Sequence, residues 1–340
     1  MNINFKFIGT LIFKCVLIFG IPYGINEVLT KFGYDLIKKF DIDLLHYILL
    51  CVILALFEIR KSPGQKNPPK EDFAKAILMY VTYLKSSGRH KIVVELRNKL
   101  SHLFHLLNLQ SDRERLGEIA FASAVATQDK LSKAEILIDD LGWSLHLQNR
   151  SLDAKRNITL ALDELSQLTP QTIDEKERCE GAKAKAYRHL AFLSESENEE
   201  FSNLASCETI INTLLADSSL MESCASKIYC HQAQLLHGKA FLQVKRIGLH
   251  ISGTVMANEA HKVGVLNNAI HELESALQLF KKIDDTERVI KTLLHYERFF
   301  DALGEKTKAN AAKAEKESYL TRSGFDGSIQ DGAITQSQLA

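Results

Sequence analysis

The chain has 340 residues, enough for one large or two ordinary domains around a substantial core. Lys+Arg and Asp+Glu are each 42, so the formal net charge is zero, which argues against a protein built chiefly to bind nucleic acid. Only five prolines and 17 glycines punctuate it, and Leu, Ala, Lys and Glu recur at helical spacing, so an all-α protein is predicted.

Two apolar runs open the chain, at residues 7–25 and 42–59. Each approaches the roughly 20 residues that cross about 30 Å of hydrocarbon. Lys14 breaks the first run where a cleavable signal would be uniformly apolar, and no A-x-A-like site follows. A transmembrane helical hairpin over residues 1–60 is therefore the preferred reading. Between the runs, Val28, Leu29, Phe32, Leu36 and Phe40 share one helical face, as in an amphipathic helix lying on a bilayer. Arg60, Lys61, Lys66 and Lys70 follow the second run and favour a cytoplasmic location for the body, at a cytoplasmic or inner membrane. Residues 61–71 hold three of the five prolines and read as a linker.

From 72 to about 320 helices of roughly 15–25 residues alternate with short breaks, the pattern of stacked helix pairs. Breaks fall near Gly88, Asn149, Pro170 and Gly304. Capping-box spacings mark expected helix starts at Ser111–Glu114, Ser132–Glu135, Thr172–Glu175, Ser219–Glu222 and Asp284–Glu287. Residues 321–340 have no apolar period and are expected to be a disordered tail.

The stretch "LGWSLHLQNRSLDAKRNITLAL" carries the only tryptophan, beside a glycine inside a helical pattern. Leu141, Gly142, Ala154, Ile158 and Ala161 are spaced so that small residues on two helices meet. This frame resembles the tetratricopeptide pattern W-x2-L-G-x2-Y…A-x3-F, with aliphatics for the aromatics and no closing proline. A partial second frame runs through Ala257, Ala260, Ala269, Leu273 and Ala276, with Gly264 expected at its turn. Gly304 and Ala309 suggest a terminal one. The resemblance implies a tetratricopeptide-like stack of antiparallel helix pairs in a right-handed superhelix. It also implies a concave face formed by the first helix of each pair. On that face it puts Asp139, Trp143 and His146, at i, i+4 and i+7, and Arg298 in a comparable place.

No phosphate-binding loop, HExxH or GxSxG is present, so the chain is not read as an enzyme and no cofactor is expected. His102 and His105 are i, i+3 without a third ligand nearby, so no metal site is expected. The six cysteines form no CxxC pair and read as reduced, mostly buried thiols. The expected function is a membrane-anchored scaffold or adaptor that binds a protein or peptide partner in its concave groove. Its partners are that protein and, through residues 1–60, the lipid bilayer; nucleic acid is not among them, and homo-oligomerisation is left open. The alternative is a sensor whose helical body controls a membrane-permeabilising hairpin, motivated by Lys14 and His46 at membrane depth.

Overall fold

The structure is a computed structural model that describes residues 70–247 and 259–323. The expectations for the membrane hairpin, most of the linker, Ala257 and the terminal segment from 324 lie outside the described residues. No helix among the described residues is long and apolar enough to cross a membrane.

The chain divides into two compact units, Met1–Leu96 and Arg97–Ala340. In the first, α1 (Lys70–Ser86) precedes the opening of α2 (His90–Leu106). Ala74, Ile77, Val81 and Leu84 form one fully buried stripe on α1, while Met79 and Tyr83 stand exposed on the other side. That is the division of an amphipathic helix.

The second unit holds the rest of α2, then α3 (Gln110–Ala126) and α4 (Lys130–Ile138). α4 runs through a π-helical turn (Asp139–Trp143) into α5 (Ser144–Leu147). There follow α6 (Ser151–Ser166), α7 (Ile173–Phe192), α8 (Glu197–Ala216), α9 (Ser218–Arg246), α10 (Ala260–Lys282), α11 (Thr286–Ala302) and α12 (Lys306–Ser323). No strand occurs among the described residues, and the all-α expectation holds. Helices pack in sequential pairs: α4 with α6, α7 with α8, α9 with α10, α11 with α12. The first helices of neighbouring pairs also meet, α4 with α7 and α7 with α9. This architecture is compatible with a helical repeat.

One turn recurs. Gly88, Asn108, Gln128, Asn149, Asp284 and Gly304 all have positive φ, between 55° and 75°. At each, the next amide reaches back to the carbonyl five residues earlier, as Leu109 N does to Phe104 O at 2.9 Å and Arg150 N to Leu145 O at 2.9 Å. This is the Schellman closure of a helix C-terminus. Gly88, Asn108 and Gln128 follow at intervals of 20 residues, as do Asp284 and Gly304, but Asn149 comes 21 after Gln128. The extra residue is absorbed by the π-helical turn, where Ser144 N bonds to Asp139 O. Two such units make a pair of about 40 residues, longer than the 34 of a tetratricopeptide repeat.

The expected breaks are real, but most expected caps are not. Only Thr172 caps as predicted, accepting from Glu175 N at 3.1 Å. Asp129 caps α4 and Asp217 caps α9, three and two residues before the predicted positions, and Asp285 caps α11, one residue after it. α3 starts at Gln110 with no side-chain cap, and Ser111 instead donates to Gln148. At Asp129 and Asp285 the recurring turn places the cap: each directly follows a left-handed residue and has non-helical backbone, which suits an N-cap aspartate.

Gly142, Ala154, Ile158 and Ala161 are buried in one core, with Leu141 packed against it. A Cβ on Gly142 would stand 2.6 Å from Ile158 Cγ1 and 2.7 Å from Leu137 O. The absent side chain of Gly142 thus leaves space for the close approach of Ile158. The second frame is corrected at its turn: Gly264 lies inside α10, although Ala269, Leu273 and Ala276 are buried as expected.

Candidate functional site

A groove of about 990 Å³ runs within the second unit, lined chiefly by α2, the π-helical turn, α7, α9 and α11. These include the first helices of successive pairs. Many of their lining positions are charged or polar, beside the apolar Trp143, Ala182, Phe192 and Phe241.

The charge of the groove is largely neutralised within its own wall. Asp140, fully buried, accepts from Arg97 Nε, from Ser101 Oγ and from Arg113 Nε at 2.9 Å. Gly117 makes room for it: a Cβ there would be 2.5 Å from Asp140 Cβ. Neighbouring Asp139 pairs with Lys185 at 3.1 Å and with Arg97 at 3.5 Å. Burial alone would raise its pKa, but Lys185 and Arg97 outweigh burial and hold the carboxyl well below its usual range. Further along, Arg178 grips Glu135 with two nitrogens, at 3.1 and 2.8 Å. Lys227 pairs with Glu177 at 3.1 Å, Arg288 with Asp285, and Lys291 with Glu287 at 2.6 Å. His102 meets Glu287 at 2.7 Å across 185 residues of sequence, bringing α2 against α11.

Arg188 is the exception. It is nine-tenths buried, lines the groove, and has no hydrogen bond or ion pair among the described residues. Burial pushes its pKa down, and the nearby Arg288 adds to that.

An aromatic strip runs beside these charges. Trp143 stacks on His189 with ring centres 4.3 Å apart and meets the edge of Phe192 at 5.6 Å. Phe192 contacts Phe241 at 5.9 Å, and Phe241 contacts His295 at 5.8 Å. Burial pushes the His237 pKa down to about 4 and those of His189 and His295 well below the ordinary value. These rings are therefore neutral at neutral pH. His189 Nδ1, His231 Nδ1, Gln234 Oε1, His237 Nε2 and His295 Nδ1 are buried without a hydrogen-bond partner among the described residues.

Of the residues predicted for the concave face, Asp139 and Trp143 line the groove. Trp143 is half-buried: one face packs and part of the ring remains at the groove. His146 does not line it; its Nδ1 lies 3.3 Å from Ser151 Oγ and its ring 5.0 Å from Trp143. The π-helical turn is the reason, because its wider winding shifts the phase of every residue after it. Arg298 is half-buried outside the groove, and His295 on the same helix takes the lining position.

The sequence reading missed the Arg97–Asp140–Arg113 cluster, Arg188 and the histidines. One signal was available, namely glycines in helix interiors, where each costs about 1 kcal/mol against alanine. Gly117 faces Asp140, Gly181 faces His231 (a Cβ would be 2.4 Å from its Nε2), and Gly238 faces Arg188. The thiols of Cys179 and Cys207 are free and buried, while Cys224 and Cys230 are partly buried.

Fold and groove together define a class: an all-α protein of packed helix pairs with a groove lined by charge pairs and aromatic rings. Beyond that class, no family model matches the chain, and no curated protein or solved structure matches it either.

Proposed function

We propose that the protein is a membrane-anchored helical scaffold that binds a segment of a protein partner in the groove between its inner helices. The observation that carries the reading is the groove itself. It is a continuous cavity of about 990 Å³ with buried polar atoms that lack partners beside an aromatic strip. Small-molecule sites range over about 300–1,000 Å³. This groove stands at the upper end and draws its wall from five helical segments, which suits an extended peptide. Aromatic residues beside pre-formed charge pairs are the usual composition of an interaction hot spot. The tetratricopeptide resemblance supports the same use of the concave face and implies the right-handed superhelix. The 20-residue helix–turn unit departs from that family's period.

The anchor rests on the sequence alone, on the apolar runs at 7–25 and 42–59 and the proline-rich linker after them. The reading requires no catalytic step. Two measurements test it. A photo-crosslinking residue is placed at Gln234, in the groove, and separately at Leu152, which is 78% exposed on α6 outside it. A discrete crosslinked protein is expected from Gln234 and not from Leu152; equal yields from both would refute groove binding. Alkaline carbonate extraction of membranes should leave the full chain in the pellet, and release into the supernatant would refute the anchor.

A further inference from the structure

Arg188 holds an unpaired charge in the wall of the groove. Each of the other lysines and arginines that line the groove has a carboxylate of the wall beside it. Arg188 has none among the described residues, although it is nine-tenths buried. A guanidinium so largely buried is ordinarily paired in folded proteins, and no Arg188 nitrogen is among the fully buried unpartnered atoms, so its polar end is open to the groove. Nor is its position an accident of loose packing. A Cβ on Gly238 would stand 3.4 Å from Arg188 Cδ and 3.5 Å from Phe192 Cε2, ordinary van der Waals contact, so α9 lies close against the arginine stem and the adjoining ring. His189, His231 and His237 lie near enough to feel its charge, and they line the same groove.

We infer that Arg188 is the anchor of an acidic subsite, where the carboxylate of an aspartate or glutamate in the partner's bound segment sits on the guanidinium while a neighbouring apolar side chain rests on the Trp143–Phe192–Phe241 strip. The charge count selects a carboxylate over a phosphate: one unpaired cation matches one negative charge, and the other lining cations are already matched. A planar carboxylate also fits the guanidinium fork with two parallel hydrogen bonds. The inference rests on the groove-binding reading above and names the chemistry of what that groove receives.

The test uses the full chain in detergent micelles and a phage-displayed library of random dodecapeptides with Trp143 and Arg188 intact. Selected sequences are expected to share one Asp or Glu next to an aromatic or aliphatic residue. A selected peptide is then synthesised with that acid, with its amide (Asp→Asn or Glu→Gln), and with free and amidated C-termini. The amide swap should weaken binding to the native chain about 10- to 100-fold, the usual range for a hydrogen bond to a charged group. In Arg188→Leu and Arg188→Gln the same swap should change affinity less than about twofold, the coupling having been removed. Both variants lose an unpaired buried charge, and circular dichroism checks that they fold. Loss of binding on amidating the C-terminus, with no effect of the side-chain swap, would overturn the side-chain assignment. Peptides that bind without an acidic preference would overturn the subsite and leave groove binding standing. Tighter binding of a phosphoserine peptide than of its aspartate counterpart would overturn the charge-count argument. Selection of no peptide at all would overturn both readings.

Discussion

Asp140→Asn is the perturbation whose cost can be worked out most directly. The carboxylate is fully buried and stands between two guanidiniums whose side chains are 4% and 7% exposed. Asparagine keeps the shape but removes the charge, and its amide turns a donor toward one of the arginines. Breaking a buried pair by removing one partner costs about 3–5 kcal/mol, because the remaining charge stays out of water. Here two arginines lose their shared carboxylate, although Arg97 keeps Asp139 at 3.5 Å and the Glu135 carbonyl at 3.2 Å. Those residual contacts place the expected loss near the lower figure, about 3 kcal/mol. For a body of this size 1 kcal/mol corresponds to roughly 2–4 °C, so Tm should fall by about 6–12 °C. Thermal melting followed by circular dichroism at 222 nm, with urea unfolding in parallel, measures it. The triple replacement Arg97→Met, Arg113→Met, Asp140→Leu should recover most of the loss, since an apolar cluster of similar volume needs no pairing. A loss under about 1 kcal/mol in Asp140→Asn would refute the claim that this carboxylate neutralises both arginines.

Gly142→Ala sets helix propensity against packing. Alanine gains about 1 kcal/mol in a helix. A Cβ 2.6 Å from Ile158 and 2.7 Å from the Leu137 carbonyl, however, brings an overpacking cost of about 1–3 kcal/mol. Tm should drop, and an unchanged or raised Tm would refute the close approach. The groove histidines predict a pH dependence. Burial holds His237 at about 4 in the folded chain against 6.5 in the unfolded one, so between those values the unfolded chain binds the extra proton. Stability is then fully present above pH 6.5 and falls as the pH drops toward 4, by at most about 3 kcal/mol for His237. A Tm that stays flat from pH 7 to about 4.5 would refute it. Burial pushes the Cys207 thiol up to about 11, so native protein should leave Cys207 unlabelled by iodoacetamide while Cys224 reacts. Peptide mapping by mass spectrometry reads the difference, and rapid native labelling of Cys207 would contradict its burial.

The described helices were largely legible without coordinates, because helix periodicity and its interruptions are local. The breaks at Gly88, Asn149 and Gly304 are places where the chain must turn through left-handed backbone, which glycine and asparagine tolerate best. The pairing of Gly142 with the helix that carries Ala154, Ile158 and Ala161 was legible for a related reason. A glycine in a helix interior is unfavourable by itself, so its presence reports a neighbour.

The site was decided by the tertiary structure. Asp140 meets Arg113 from 27 residues away and Arg97 from 43. No sequence spacing distinguishes that carboxylate from Asp139 beside it. The π-helical turn is a one-residue departure from the 20-residue unit, and it moved His146 off the face where simple helical spacing had placed it. Arg188 shows the limit most plainly. In the sequence it is one of 42 basic residues balanced by 42 acidic ones. Net charge is a sum over the chain, but pairing depends on which side chains the folded helices bring within about 4 Å, a property of helix register and packing. Composition therefore determined that the charges balance, and only the fold decided which cation of the groove is left unpaired among the described residues.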